Sequence, residues 1–381
     1  MENNFLTRDI TSLSTLLLIR LALLAVLLYQ LKEKHFLSAA FLLFIILIIE
    51  SAHLWSRIGL RKLTIKRRLT SARLFPDEET TISLTVENNK KLSVFLTWIQ
   101  PLPPGIEQVI PLEDGFPGAA YGYQTVGWHS QMTDSFSIKA LKRGYYRLPT
   151  LRLQSRDVFG LFFRESQLVE QQRIFVYPRL LPMQNIKLTP ADLIGLQKDS
   201  RPFLPDPIMF VGLREYTPEM PARFIHWKAS AHKGQLLAKI IEPSADLRMC
   251  IALDAEAFLS PEPQPNRFEE ALSLAATLAM WADMARIPFG LLVNAPQKEL
   301  AVPAVVSLGS GFEQIRLVLE SLARVELAQI VTLNDLLRAE SSRLPWGTTL
   351  VIIGGRSPET IPPTIRQILY YSSSGEAYDT Q

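Results

Sequence analysis

Cysteine is almost missing from this chain. Its single copy, Cys250, excludes an intramolecular disulfide framework and any cysteine-built zinc or iron–sulfur centre. An excess of one charge is missing too: 40 Lys and Arg against 37 Asp and Glu leave +3, too little to imply nucleic-acid binding from charge alone. No G-x-x-x-x-G-K-[ST] loop occurs, which argues against ATP hydrolysis, and there is neither a G-x-S-x-G elbow nor an H-E-x-x-H helix. His226, His232 and Cys250 have no diagnostic ligand spacing. Gly309-Ser310-Gly311 is half of a phosphate-binding fingerprint and reads better as a helix start, with Ser310 as N-cap. The sequence therefore predicts no catalytic residue and no cofactor.

What is present is apolar. Residues of hydrophobic type make up 48% of the 381, enough for sizeable cores and for two or three domains. Leu13 to Leu31 is apolar apart from Ser14, Thr15, Arg20 and Gln30, and Phe36 to Ile49 is almost purely so. The first stretch, and the second if it runs on to Trp55, each have about the 20 residues that a membrane-crossing helix needs. With only Lys32-Glu33-Lys34-His35 between them, residues 1–60 are expected to form a transmembrane hairpin. A signal peptide is the rival reading; Glu2, Asp9, Arg20 and the lack of a small-x-small cleavage site count against it. Basic residues after the second segment (Arg57, Arg61, Lys62, Lys66, Arg67, Arg68) outnumber those in the loop, which predicts a two-pass protein of the cell membrane with both termini and the soluble domains in the cytoplasm. They are also placed to touch anionic headgroups, at about 1 kcal/mol each. In an antiparallel hairpin Arg20 faces the neighbourhood of Glu50, so these two are expected to form an interhelical ion pair.

From 61 to 178 the apolar period is two. Thr81–Val86 alternates with hydroxyl residues, Asn88-Asn89-Lys90-Lys91 reads as a turn, and Val94–Ile99 as the returning strand. Phe136, Ile138 and Ala140 form another alternating run before the turn at Arg143-Gly144. These features predict an antiparallel β-sandwich of immunoglobulin-like type. Residues 179–210 suit a linker, and 179–234 together hold the linker and a signature segment. Over 235–381 strands alternate with helices: a strand to Leu253, a helix over Asn266–Arg286, a strand over Pro288–Val293, a helix through Leu317, a strand over Thr349–Ile353, and a last helix over Ile361–Tyr370. That order predicts an α/β domain of Rossmann type, with a mostly parallel sheet.

Three stretches carry a resemblance. They are Asp157-Val158-Phe159-Gly160-Leu161-Phe162 with Val176-Tyr177-Pro178, then Gly212-Leu213-Arg214-Glu215-Tyr216 through Arg223-Phe224-Ile225-His226-Trp227-Lys228, and then the strand ending in Leu253-Asp254. Together they resemble the bacterial and archaeal family called domain of unknown function fifty-eight. The resemblance implies a C-terminal domain like von Willebrand factor A and, as a partner, a MoxR-type AAA ATPase. Departures are present: Glu219-Met220 stands where the family has an acidic pair or Gly-Asp, and Ala231-His232 where it has Ala-Arg. A metal-ion-dependent adhesion site needs Asp-x-Ser-x-Ser, whereas this chain has Asp254-Ala255-Glu256-Ala257-Phe258. Magnesium favours near-octahedral oxygen coordination, so the site reads as degenerate and Asp254 as a cap.

Arg214, Tyr216, Arg223, Trp227 and Lys228 are the candidate partner-binding residues, since Arg and Trp are common interface anchors. Pro221 is expected in the first turn of a helix that sets Arg223 and Trp227 on one face and stops at Gly234. In a blander reading, Trp227 fills a gap beside the sheet while the arginines pair with Glu215 or Glu242. The expected function is a membrane-anchored, non-catalytic adaptor or assembly protein. The alternatives are a metal-dependent hydrolase using Asp254 and Glu256, or a self-associating structural membrane protein.

Overall fold

The structure, a computed structural model, describes residues 5–9, 13–60, 62–110, 118–182, 210–217, 225–241, 247–354 and 362–372. The chain divides into two compact units, Met1–Arg179 and Leu180–Gln381.

The first unit opens with strand β1 (Phe5–Asp9) and helices α1 (Leu13–Lys32) and α2 (Phe36–Gly59). Lys34 reverses the chain with φ 57, and His35 N–H donates to Gln30 O at 3.0 Å. Among the described residues, one helix, Phe36–Gly59, is long and apolar enough to cross a bilayer. Its large side chains face outward, Leu37 being 89% exposed. Its buried positions Ala52, Ser56 and Gly59 are small and lie at helical spacing on one stripe.

Eleven strands follow: β2 (Leu63–Leu69), β3 (Arg73–Leu74), β4 (Glu79–Asn88), β5 (Val94–Pro101), β6 (Ile106–Gln108), β7 (Ala119–Val126), β8 (Gln131–Ala140), β9 (Gly144–Arg147), β10 (Leu151–Arg156), β11 (Phe163–Leu168) and β12 (Arg173–Val176). They form sheets of order β1-β11-β10-β5-β7, β2-β4-β8-β6 and β3-β12-β9. The two larger sheets are antiparallel throughout and share one hydrophobic core. Alternation drives this packing: every second residue from Thr80 to Asn88 is buried. Trp98 from one sheet stacks on Phe136 from the other, with ring centroids 5.0 Å apart.

Two expectations need correction here. β5 does not return beside β4; it pairs with β10 and β7, and β4 pairs with β2 and β8. The chain crosses between sheets at Asn88, whose side-chain amide donates to Leu92 O (2.7 Å) and Gly127 O (2.6 Å) and so holds the crossing in place. Arg67 is not available to lipid: it is 2% exposed and donates to Gln100 Oε1 (2.7 Å), Pro149 O (3.1 Å) and Glu170 O (2.6 Å). Its guanidinium fork ties one strand, β5, to two loops at once, which offsets the cost of burying the charge.

The second unit contains β13 (Phe210–Glu215), α3 (Trp227–Lys233), β14 (Leu237–Ile241), β15 (Met249–Leu253), α4 (Pro265–Met284), β16 (Phe289–Pro296), β17 (Pro303–Gly309), α5 (Phe312–Arg324), α6 (Leu333–Glu340), β18 (Thr348–Ile353) and β19 (Ile365–Tyr371). β13 and β14 make an antiparallel pair. The other strands form one mixed sheet, β17-β16-β15-β18-β19, parallel except for β17. All five residues of β15 are buried, as a central parallel strand requires. Leu333, Leu336 and Leu337 of α6 pack against Cys250, Ala252, Leu350 and Ile352.

The expected helix over Ile361–Tyr370 is instead the edge strand β19, parallel to β18. Its run of β-branched and aromatic residues suits a pleated surface better than a helix. Ser310 is not the cap of α5; Gly311 takes that position with φ 89, a backbone conformation open to glycine. The linker expected over 179–210 lies mostly outside the described residues.

Candidate functional site

The carboxyl end of β15 is where an α/β sheet would hold a ligand. Asp254 there caps a short 3₁₀ turn, Ala255–Phe258, its Oδ1 accepting from Glu256 N–H at 3.2 Å. Asn294, fully buried in β16, completes the lock. Its Nδ2 donates to Asp254 Oδ1 (2.8 Å), and its Oδ1 accepts from Ala255 N–H (2.7 Å). Burial raises the Asp254 carboxyl above the usual range, while the bonds from Asn294 and Glu256 N–H pull it down. Glu256 turns elsewhere and accepts from Gln329 Nε2 at 2.8 Å.

Phe258 decides what this end of the sheet can hold. Its ring is 4% exposed and lies 5.7 Å from that of Phe268. It also lies against Gly354, where a Cβ would come within 2.4 Å of it. An apolar ring thus stands where an adhesion-type site needs a hydroxyl, and the residues present do not fit magnesium. Among the described residues, no group of three His, Cys, Asp or Glu is placed to hold a metal ion. Sequence reading missed Asn294; the signal was a lone amide in the otherwise apolar run Leu291-Leu292-Val293-Asn294-Ala295.

The signature segment gathers around β14. On one side Arg214 of β13 pairs in register with Ala238, and on the other Ile225 bridges to the same residue. Ile225 is extended and α3 starts at Trp227, later than the expected start near Pro221. Arg223 and Pro221 lie outside the described residues, as does Glu242. His226 caps α3, its Nδ1 accepting from Ala229 N–H at 3.1 Å, and Gly234 ends it with φ 71, the expected stop. Trp227 does not fill a gap beside the sheet: it is 67% exposed. Arg214 and Lys228 are exposed as well, and Tyr216 is half-buried, its N–H donating to Leu236 O at 2.9 Å.

In the first unit Arg20 and Glu50 meet. Arg20 Nε lies 2.7 Å from Glu50 Oε1, and Nη2 reaches Glu50 Oε2 at 3.0 Å and His53 Nδ1 at 2.9 Å. The charge-assisted hydrogen bond to Glu50 runs through Nη2, and the Nε contact adds ion-pair proximity. A second cation, Lys90, was read only as a turn residue. Its ammonium donates to the last carbonyls of α2, Ile58 O at 2.8 Å and Gly59 O, where the helix dipole favours positive charge.

No family model matches the chain. A curated relative, the uncharacterized protein YeaD of Bacillus subtilis (strain 168), is 25% identical over 247 residues. The match covers 64% of this chain and 58% of that one, so the chain spans little more than half the length of this relative. Among solved structures, part of an alpha-2-macroglobulin from Escherichia coli gives 16% identity and a TM-score of 0.23, covering 30% of this chain and 23% of that one. A cohesin from Archaeoglobus fulgidus gives 14% identity and a TM-score of 0.21, covering 26% of this chain and 82% of that one. At these scores neither similarity bears on fold or function.

Proposed function

We propose that this chain is a membrane-anchored, non-catalytic adaptor or assembly protein whose C-terminal unit engages a protein partner. The observation that carries the reading is Trp227. A tryptophan 67% exposed, on a helix capped at both ends and beside Lys228 and the Arg214 strand, is a preformed anchor of the kind that dominates interfaces. The closed end of β15 supports the non-catalytic half of the proposal. In this reading the sandwich is immunoglobulin-like and the C-terminal unit is a degenerate von Willebrand A-like domain. The partner, by family resemblance, is a MoxR-type AAA ATPase, which places the chain's work in assembly of a complex.

The same reading has α1 and α2 crossing the membrane as a pair, with the soluble units in the cytoplasm. Two features support it. At 20 residues α1 is about 30 Å long. Also, β1, which precedes α1, pairs antiparallel with β11, which follows α2. A sheet bond across both helices needs its two strands on one side of the bilayer, hence an even number of crossings.

Affinity purification of the tagged full-length protein from gently solubilised native membranes, with ATP and with ADP, tests the reading. An AAA ATPase should be recovered in a nucleotide-dependent way, and Trp227→Ala should weaken its binding about tenfold or more. Thermal unfolding of that variant should be unchanged, because the indole is outside the core. Retention of the ATPase by Trp227→Ala, or its absence from both eluates, would overturn the proposal.

A further inference from the structure

The segment Asp157–Phe162 belongs to the first unit and plays no part in the partner surface. Its backbone is folded by one buried carboxylate: Asp157, 3% exposed, accepts from Phe159 N–H at 2.7 Å and from Phe162 N–H at 2.5 Å. Gly160, at φ 69, allows the tight turn, and its N–H donates to Asp157 O at 3.2 Å. The result is a rigid loop with apolar side chains on the outside. Val158 is 52% exposed, Phe159 55% and Leu161 48%, whereas Phe162 points back and is 4% exposed. A water-facing loop of this composition has an unfavourable apolar surface and no internal reason for it.

Its position supplies the reason. At the root of the loop, Ser155 meets the last turn of α2, since a Cβ on Gly59 would lie 2.7 Å from Ser155 Oγ. At its far end, the Phe162 ring lies 5.2 Å from the His53 ring, edge on. His53 precedes Gly59 by six residues, about 9 Å along the helix axis. The loop therefore climbs α2 from its cytoplasmic end toward the apolar span. Counted from Phe36, about 20 residues fill the hydrocarbon thickness, which puts the boundary near Trp55, at the level of the loop. Arg156 at the loop's root, its guanidinium 5.8 Å over the Tyr123 ring, adds a cation suited to phosphate headgroups.

We infer that Val158, Phe159 and Leu161 insert into the headgroup–acyl boundary of the bilayer that holds α2, so that the sandwich is seated on the membrane at a second point. The inference rests on the reading that α2 crosses the bilayer. Nitroxide labelling of the full chain in phosphatidylcholine–phosphatidylglycerol vesicles separates the two. Cys250 is buried and its thiol is pushed up to about 12 by burial, with Glu340 adding to the shift, so labels go to introduced cysteines. The positions are Phe159→Cys, Leu47→Cys on the exposed face of α2, and Ile110→Cys, 78% exposed beside the far half of β8.

Collision with oxygen against a water-soluble nickel complex reports depth. The expected order is Leu47 deepest, Phe159 at the interface and Ile110 aqueous. A Phe159 label as aqueous as Ile110 while Leu47 reads deep would overturn the inference and leave the membrane span intact; that pattern would fit a protein-binding loop. Aqueous readings at all three positions would overturn the span and the inference together. The Leu161→Cys chain serves as a second reporter should the Phe159 variant fold poorly.

Discussion

Lys90 shows how much one side chain can do without any sequence signal. In the chain it sits among polar neighbours, Asn88-Asn89-Lys90-Lys91, and reads as a turn. In the fold its ammonium closes the open end of α2, 31 residues away in sequence from Gly59. Burial lowers this ammonium to about 8 from an ordinary 10.5. Between those values the unfolded chain binds more protons than the folded one, so stability should rise as pH rises through the window and fall as pH drops toward 8. Lys90→Met should flatten that dependence. Thermal unfolding of both chains in detergent at several pH values across the window is the check; parallel curves would remove Lys90 from the account. Arg20 and Glu50 are the opposite case. They were legible because two charges in apolar stretches on antiparallel segments leave few partners to choose from. Arg67 was misread because its neighbours are also basic, and only the fold separates the one that is buried.

At the scale of elements, the small stripe on α2 is the informative feature. Ala52, Ser56 and Gly59 are small and buried, α2 contacts β10, and Gly59 lies against Ser155 with no room for a side chain. Gly59→Leu should therefore destabilise the first unit by roughly 1–3 kcal/mol through overpacking. Ser155→Ala in the same chain should recover part of the loss, because it removes the atom in the way. Equal stability of Gly59→Leu and the parent in chemical unfolding would sink the packing argument. Elements with a long, unambiguous period were readable in advance: the helix expected over Asn266–Arg286 is α4, which buries Phe268, Ala271, Leu272, Ala275, Leu278 and Ala279, apolar residues at helical spacing. Short segments were not. β19 carries enough apolar residues to satisfy a helical template over a few turns, and the vacant edge of β18 decides in favour of a strand. The candidate site follows the same rule. Gly234 as the stop of α3 was local and legible, whereas the start of α3 depended on Ile225 being drawn into a bridge with Ala238.

For the whole molecule, the pairing of β1 with β11 makes the sharpest demand. Reporters fused ahead of residue 1 and after residue 381 should both be active on one side of the bilayer, the cytoplasmic side in the proposed reading. Reporters active on opposite sides would exclude an even number of crossings and with it the two-pass reading. Among the described residues, no other main-chain hydrogen bonds tie the segment before α1 to residues after α2. That is why removing residues 1–9 should also loosen the edge of the sheet at β11.

The amino-acid sequence by itself determined the classes of segment: apolar stretches of membrane length, alternating strands, a strand-and-helix order in the C-terminal unit, and an Asp254 run without the hydroxyls of a metal site. Those properties are local, because solvent exposure repeats along a helix or strand with a fixed period. Tertiary structure alone decided which strands share a sheet, that Arg67 is buried, that Phe258 fills the end of β15, and that Trp227 faces outward. Each of these depends on contacts between residues far apart in the chain. Many such pairings satisfy the same local pattern, and the one adopted is the one that buries the apolar faces while leaving the backbone polar groups bonded.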